Sequence, residues 1–352
     1  ALNSSSFAIP AWVSVPEKVY PLTYKIYQSI QAGGFDGIPQ AATYSLVLLL
    51  LTLVLFFFQN IFIRNDKKYV TVSAKGSRTT LKTLPFWPSL KINLIALLYN
   101  GLVWGLPLGG LFISTVVPPG CLQENGLSCL KTWTLRNYSY VLFELQETRQ
   151  AFFGSFVIGG LSALGVSALA MLFLIVTARR RNLMRILDGF LQIPVATPGA
   201  ILALGLIVVG SGRYSINLYN TAGIVACAFI LKHANLAFQP LRTGFANLSP
   251  ALGEAARMSG ADTLKVWRSV FIPLLKPEWI GGFFLVLIPI LGELTMSVFL
   301  AGPNFKSLGT LMFDLQDYAD QAAAQALGII LIISILIFNQ FARRLSRGQL
   351  GY

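Results

Sequence analysis

Long apolar runs alternate with short polar, basic stretches along most of the chain, and they are too long and too poor in charge to be the faces of soluble helices. A membrane-crossing helix needs about 20 predominantly apolar residues to span a hydrocarbon core of roughly 30 Å. Seven stretches meet that demand: Ala41 to Ile63, Ile92 to Val117, Ala151 to Ala178, Ile186 to Val209, Thr221 to Leu241, Trp279 to Leu300 and Ala322 to Phe341. The first carries Leu46-Val47-Leu48-Leu49-Leu50-Leu51 at its centre and no charge. The pattern predicts an all-α polytopic membrane protein with about seven transmembrane helices.

Composition narrows the class. With 55% hydrophobic and 12% charged residues among 352, and a mean hydropathy of +0.65, this is no soluble domain. The net charge of +13 is spread between the runs. Arg64, Lys67 and Lys68, then Arg179 to Arg181 with Arg185, then Arg257, Lys265 and Arg268, then Arg343, Arg344 and Arg347 share one side of the crossings. The other side holds a sparser set: Lys18, Lys25, Lys131, Arg136, Arg149, Arg213 and Lys306. The positive-inside rule makes the richer side cytoplasmic, with the C-terminus inside and Ala1 outside. Basic residues that flank spans, with no aromatic-interleaved patch, exclude nucleic acid as a partner and leave the lipid bilayer. No basic region followed by a short apolar stretch follows Ala1, so no signal peptide is read there and the start is expected to be a cut or processed end.

The first run stands apart. Residues 66–88 are polar and basic, with Ser73, Gly76 and Ser77 and then Pro85 and Pro88, and they read as a linker between two units. The two ends of the chain share their flanks. Leu22-Thr23-Tyr24-Lys25-Ile26-Tyr27 and Gln40-Ala41-Ala42 precede the first run, which closes on Phe58-Gln59-Asn60 and Arg64. Leu308-Gly309-Thr310-Leu311-Met312-Phe313 and Gln321-Ala322-Ala323 precede the last, which closes on Asn339-Gln340 and Arg343-Arg344, the match needing a gap near Gly33 to Gly37. Either one unit is repeated, as is common in transporters, or two unrelated helices have similar flanks. The repeat reading makes residues 1–65 the last helix of a preceding half with its outer flank, and residues 89–352 a six-helix half. Cys121 and Cys129 fall in the outer stretch Pro118 to Gln150, on the oxidising side, where a disulfide and two free thiols are both compatible with the sequence. Cys227 lies within a span as a small apolar residue.

Residues 247–273, between the fifth and sixth runs, carry the densest local signal. Ser249 is a good N-cap residue and Pro250 suits the first helical position. Gly260 supplies a left-handed helix end, and Asp262 caps a second helix over Thr263 to Phe271. That helix is expected to place Leu264, Trp267 and Phe271 on one face, and Pro273 to limit it. Two short helices joined by a glycine turn on the cytoplasmic side form a knob fit to dock in a groove of a soluble partner.

The spacing Glu254-Ala255-Ala256, three residues, Gly260, nine residues, then Val270-Phe271-Ile272-Pro273 resembles the EAA signature of binding-protein-dependent ABC permeases, with Val270 and Ile272 where that family usually has Ile and Leu. Ile193-Pro194-Val195-Ala196-Thr197-Pro198-Gly199 resembles the family's proline-glycine opening of a core helix. Tyr69 to Gly76, and Gly292-Glu293-Leu294 followed by Pro303-Asn304-Phe305 and Leu308, resemble its ferric-iron branch, with Thr295 standing where the branch often has Pro. The resemblance implies a type I ABC importer transmembrane domain in the bacterial inner membrane, whose coupling loop carries Glu254, Ala255, Ala256, Gly260, Val270, Ile272 and Pro273. It implies two ATPase subunits that bind ATP and Mg, an extracytoplasmic solute-binding protein, and a second permease half commonly fused in the same chain. The implied cargo is ferric iron, with thiamine, a phosphonate, sulfate or a polyamine as alternatives.

No GxxxxGK[ST] phosphate loop, HExxH or GxSxG occurs, and His233 is the one histidine, so an enzyme is not expected and no cofactor is assigned to the chain. Glu293 lies about 21 Å along the run that starts at Trp279, at membrane depth. There it either lines a path, offering oxygen to a hard cation, or pairs with Lys232 or a backbone group. No metal site is assigned. Asp188 beside Arg185 is read as charge compensation at a helix N-terminus. Gly159, Ala163 and Ser167 give one span a small-residue packing face.

Overall fold

The computed structural model describes residues 18–33, 36–63, 86–118, 121, 128–129, 132–212, 217–302, 305–317 and 320–345. The chain start before Lys18 and linker residues 66–85, including Tyr69 to Gly76, lie outside them. Helix α1 (Leu22–Gly33) turns back into α2 (Ile38–Ile63). Helix α3 (Phe86–Asn100) takes in the last residues assigned to the linker and passes through a π-turn, Gly101–Gly105, into α4 (Leu106–Val116). A second π-turn, Gly154–Ile158, joins α5 (Gln146–Phe153) to α6 (Gly159–Thr177). Helices α7 (Arg181–Ala196), α8 (Gly199–Gly210) and α9 (Ala222–Asn247) follow. Beyond the loop lie α12 (Lys276–Leu291), α13 (Thr295–Leu300), α14 (Leu308–Asp317) and α15 (Gln321–Leu345). The two helices of the loop itself, α10 and α11, belong to the site below.

Among the described residues, five helices are long and apolar enough to cross a membrane, or seven if each of two bent pairs is one span. Two predicted spans are not continuous. Ile186 to Val209 is broken at Thr197–Pro198, where α7 and α8 meet at 101°. Pro198 has no N–H and pushes the residue before it out of the helical region, and Thr197 is extended at φ −86°, ψ 129°. Trp279 to Leu300 is interrupted at Gly292–Leu294, between α12 and α13. Pro289 sits inside the last turn of α12, and the Glu293 carboxylate bonds forward to the Met296 N–H instead of letting the helix continue.

The core is a layer of α6, α9 and α12, packed pairwise. Gly159, Ala163 and Ser167 of α6 are buried as the spacing predicts, and a Cβ at Gly159 would come within 3.0 Å of Ile290 Cγ2 on α12. Small residues let these backbones approach, and the Trp279 indole N–H then reaches the Ser167 carbonyl at 2.9 Å. His233 is buried, bonded at 3.1 Å to the Phe229 carbonyl and set edge-on to the Phe229 ring, a packing role.

Part of the stretch between α4 and α5 is helical. A short helix at Arg136–Ser139 is tied to α4 by Asn137 Nδ2 donating to the Thr115 carbonyl at 2.8 Å and by Tyr138 Oη with Thr115 Oγ1 at 2.7 Å. Cys121 and Cys129 are joined there, with Cα atoms 5.9 Å apart. Closing so short a loop removes about 2–3 kcal/mol of unfolded-state entropy on the chain model. Intact mass before and after reduction should therefore differ by two hydrogens, with no alkylation at either thiol until reductant is added.

Both ends of the described chain build a helical hairpin, a short helix of 12 or 10 residues packed on a long helix of 26 or 25.

Candidate functional site

The loop after α9 is built from two helices, α10 (Pro250–Met258) and α11 (Thr263–Val266). Pro250 occupies the first turn of α10 as predicted, whereas Ser249 stands at the N-cap without a side-chain bond. At the other end the Gly260 N–H bonds to the Arg257 carbonyl at 2.8 Å and the Ala261 N–H to the Ala256 carbonyl at 3.1 Å. These are the paired bonds of a Schellman end, with Gly260 at φ +81°. Asp262 Oδ1 accepts from the Lys265 N–H at 2.9 Å and starts α11 as expected.

The second helix departs from expectation in two ways. Pro273 does not end it near Phe271. A π-turn over Trp267–Phe271 lets Ile272 bond back to Trp267, the helix runs on to Leu274, and it bends 65° into α12. The wider turn removes the need for the N–H that Pro273 lacks. Leu264 is not on the buried face: it is 75% exposed, while Val266 and Trp267 are buried. An extra residue in the π-turn shifts the register that a regular helical period assumes.

An aromatic joint roots this loop in the membrane part. Phe245 on α9 stacks on Trp267 at 5.5 Å between centroids, and Phe271 meets Phe245 at 5.4 Å and Trp267 at 5.0 Å. Gly253 of α10 lies on the tip of the Phe271 ring, where a Cβ would come within 3.0 Å. Val270 and Ile272 are half-buried beside the joint. Arg179 Nη2 donates to Thr263 Oγ1 at 3.3 Å, linking the loop to the end of α6. Glu254, Ala255 and Pro273 are exposed, as are the large apolar side chains of Met258 and Leu264. The knob is fixed from behind and uncovered in front, the geometry of a docking element.

A second polar cluster lies at membrane depth. Lys232 is about 15 Å from the start of α9, and Glu293 about 25 Å from the start of α12, at matching levels in antiparallel helices. Lys232 Nζ donates to the Thr197 carbonyl at 2.9 Å, at the α7–α8 break. Glu293 Oε1 accepts from the Met296 N–H at 3.0 Å at the α12–α13 break, and its charge and that of Lys232 act on one another. The two breaks also touch, since a Cβ at Gly199 would be 3.3 Å from Thr295 Cγ2. Glu293 thus has the backbone partner and the nearby cation of the pairing reading, and it is half-buried, beside the exposed Gly292. Lys232 was legible as a possible partner of Glu293, whereas its bond to the Thr197 carbonyl was foreshadowed only by a proline-glycine break.

Asp188 corrects its sequence reading. It does not compensate a helix start beside Arg185 but accepts from Arg242 Nη1 at 2.8 Å, tying α7 to the last turns of α9. Its second oxygen, Oδ1, is buried without a partner. Arg242→Met should therefore lower stability by about 1–3 kcal/mol, because it strands a largely buried carboxylate. Adding Asp188→Asn should restore most of the loss in a thermal melt of the purified protein; an additive double variant would show that the pair does not couple.

The comparisons agree with this architecture. A family model described as binding-protein-dependent transport system inner membrane component matches residues 167–350, more than half of the chain. The Fe(3+)-transport system permease protein FbpB 2 of Haemophilus influenzae is 26% identical over 191 residues, 54% of this chain and 38% of that protein. A putative 2-aminoethylphosphonate transport system permease protein, PhnV, of Salmonella paratyphi A is 28% identical over 155 residues, 44% of this chain and 58% of that protein. The chain thus spans less than two thirds of the length of these relatives. Among solved structures, a bacterial ABC transporter involved in the import of the acidic polysaccharide alginate aligns with a TM-score of 0.56 at 17% identity, over 75% of this chain and 96% of that one. That likeness carries the fold, a type I importer transmembrane domain. With the family match falling across α6 to α15 and both helix breaks, the chain belongs to the binding-protein-dependent transport system inner membrane components.

Proposed function

We propose that this chain is the permease unit of an ATP-driven importer and that its cargo is ferric iron. The observation that carries the reading is the loop of residues 247–273: a glycine-hinged knob, anchored through Phe245, Trp267 and Phe271 and presenting Glu254, Ala255, Met258 and Leu264 outward. In this reading the loop side is cytoplasmic, with the C-terminus, and two separate ATPase subunits that bind ATP and Mg seat on the loops. A solute-binding protein delivers cargo at the opposite face, and a second permease half completes the path. ATP binding favours one orientation of the path and hydrolysis resets it, each partner acting through its different affinity for the two states. Glu293, with Lys232 and the Thr197 carbonyl, lies on that path.

Iron rests on the resemblance of the Gly292-Glu293-Leu294 region and on relatives such as the Haemophilus protein. A phosphonate is the second reading, favoured by the Salmonella relative and by the cation Lys232 at membrane depth. Uptake of labelled ferric iron in cells carrying the complete transporter, competed with excess 2-aminoethylphosphonate, separates the two. Iron uptake insensitive to the phosphonate is expected. ATP-dependent uptake of the phosphonate alone would overturn the iron assignment and leave the permease reading intact.

A further inference from the structure

The two hairpins touch at matching positions. Aligning Leu22–Tyr27 with Leu308–Phe313 makes Phe313 the counterpart of Tyr27, and the two rings meet edge-on with centroids 5.7 Å apart. A residue that contacts its own counterpart lies near a two-fold axis, because only that operator exchanges the partners and keeps the contact.

The burial of the long helices is complementary in the same register. With Gln40 aligned to Gln321, the buried face of α2 is Ala41, Ser45, Leu48 and Thr52, and α2 packs against α8 and α7. That face is about 16 Å long, close to the roughly 18 Å of α8. Its counterparts on α15 are Ala322, Ala326, Ile329 and Ile333; the first two are buried, Ile329 is half-buried and Ile333 is 51% exposed. Conversely α15 buries Ala323, Leu327 and Leu331 and packs on α12, α14 and α4. The counterparts on α2 are Ala42, Leu46 and Leu50, all exposed. From Ile329 onward α15 thus leaves open the face that α2 covers, and α2 leaves open the face that α15 covers.

We propose that two permease halves exchange terminal hairpins across this axis. The α1–α2 hairpin is the terminal hairpin of a second half of this same architecture, seated here on α8. The Ile329, Ile333 and Leu336 face of α15 receives that half's counterpart of α8, and its counterparts of α12 and α4 cover Leu46 and Leu50 of α2. A second half fits these faces better than lipid alone, because both open faces are predicted by contacts made elsewhere in this chain. Relatives such as the Haemophilus protein, of which this chain covers 38%, are long enough to contain it. The proposal rests on the permease reading and adds to it the surface and register of the pairing.

Photo-crosslinking in the complete, transport-competent assembly tests it. p-Benzoylphenylalanine at Ile333 and, separately, at Leu50 should give adducts with peptides outside this 352-residue chain but of homologous sequence. Thiols introduced as Tyr27→Cys and Phe313→Cys should be bridged by a short bis-methanethiosulfonate reagent. Adducts to lipid only, to the ATPase, or to this chain itself would overturn the exchange, as would failure to bridge two demonstrably reactive thiols. Uptake by the unmodified assembly is measured alongside. Its absence would overturn the permease reading, whereas lipid-only adducts in transporting protein overturn the pairing alone.

Discussion

Gly260→Val should abolish uptake while leaving membrane insertion unchanged. The residue sits at φ +81° with no other group within 4 Å of a Cβ placed there, so the penalty comes from the backbone and not from a clash. A left-handed conformation costs a residue with a Cβ roughly 1 kcal/mol or more, and a β-branched one is the least tolerant. The chain relieves that cost by giving up the Schellman bonds to Arg257 and Ala256, and α11 then leaves α10 in a different direction. The exposed Met258 and Leu264 no longer face a partner together, so co-purification with the ATPase should weaken with transport. Gly260→Asn, which accepts the left-handed region more readily, should retain substantial uptake. Glu254→Lys should mimic the valine variant by reversing charge on the exposed face of α10. Valine-variant membranes that keep both ATPase association and transport would remove the coupling role.

Glu293→Gln is expected to reduce uptake at least ten-fold in protein that still folds, and Glu293→Ala to lower the melting temperature as well. Glutamine keeps an oxygen for the Met296 N–H but withdraws the negative charge from Lys232. Alanine removes both, uncapping α13 and leaving a half-buried cation without its counter-charge, at about 2 kcal/mol or more. Thermal melts with uptake assays separate the two contributions. Wild-type transport by the glutamine variant would show that the carboxylate is a structural cap and nothing more.

Span positions were legible because helices surrounded by apolar contacts need no periodicity to declare themselves; length without charge suffices. Gly260, Pro250 and Asp262 were legible because helix ends obey local chemistry. The failures are equally physical. The sharpness of the α7–α8 elbow was not legible although its proline-glycine motif was, and the break at Gly292–Leu294 depends on a carboxylate choosing a backbone partner. The π-turn at Trp267–Phe271 shifts by one residue the face that a 3.6-residue period assigns, which is why Leu264 was misplaced. Asp188 was read against its sequence neighbour Arg185 although its partner, Arg242, comes from another helix.

The elbow between α7 and α8 makes the pair a bell-crank. Both arms are helical, and the pivot at Thr197 is pinned by Lys232 through its carbonyl. The α7 arm is gripped by Arg242 through Asp188, on the same helix that carries Phe245 and hence the loop. A tilt of the loop end of α9 therefore turns the crank instead of dissipating in a flexible connection. With an arm of about 18 Å, a rotation of about 10° carries the far end of α8 sideways by about 3 Å, roughly the width of a water molecule. Such a displacement needs no helix to melt.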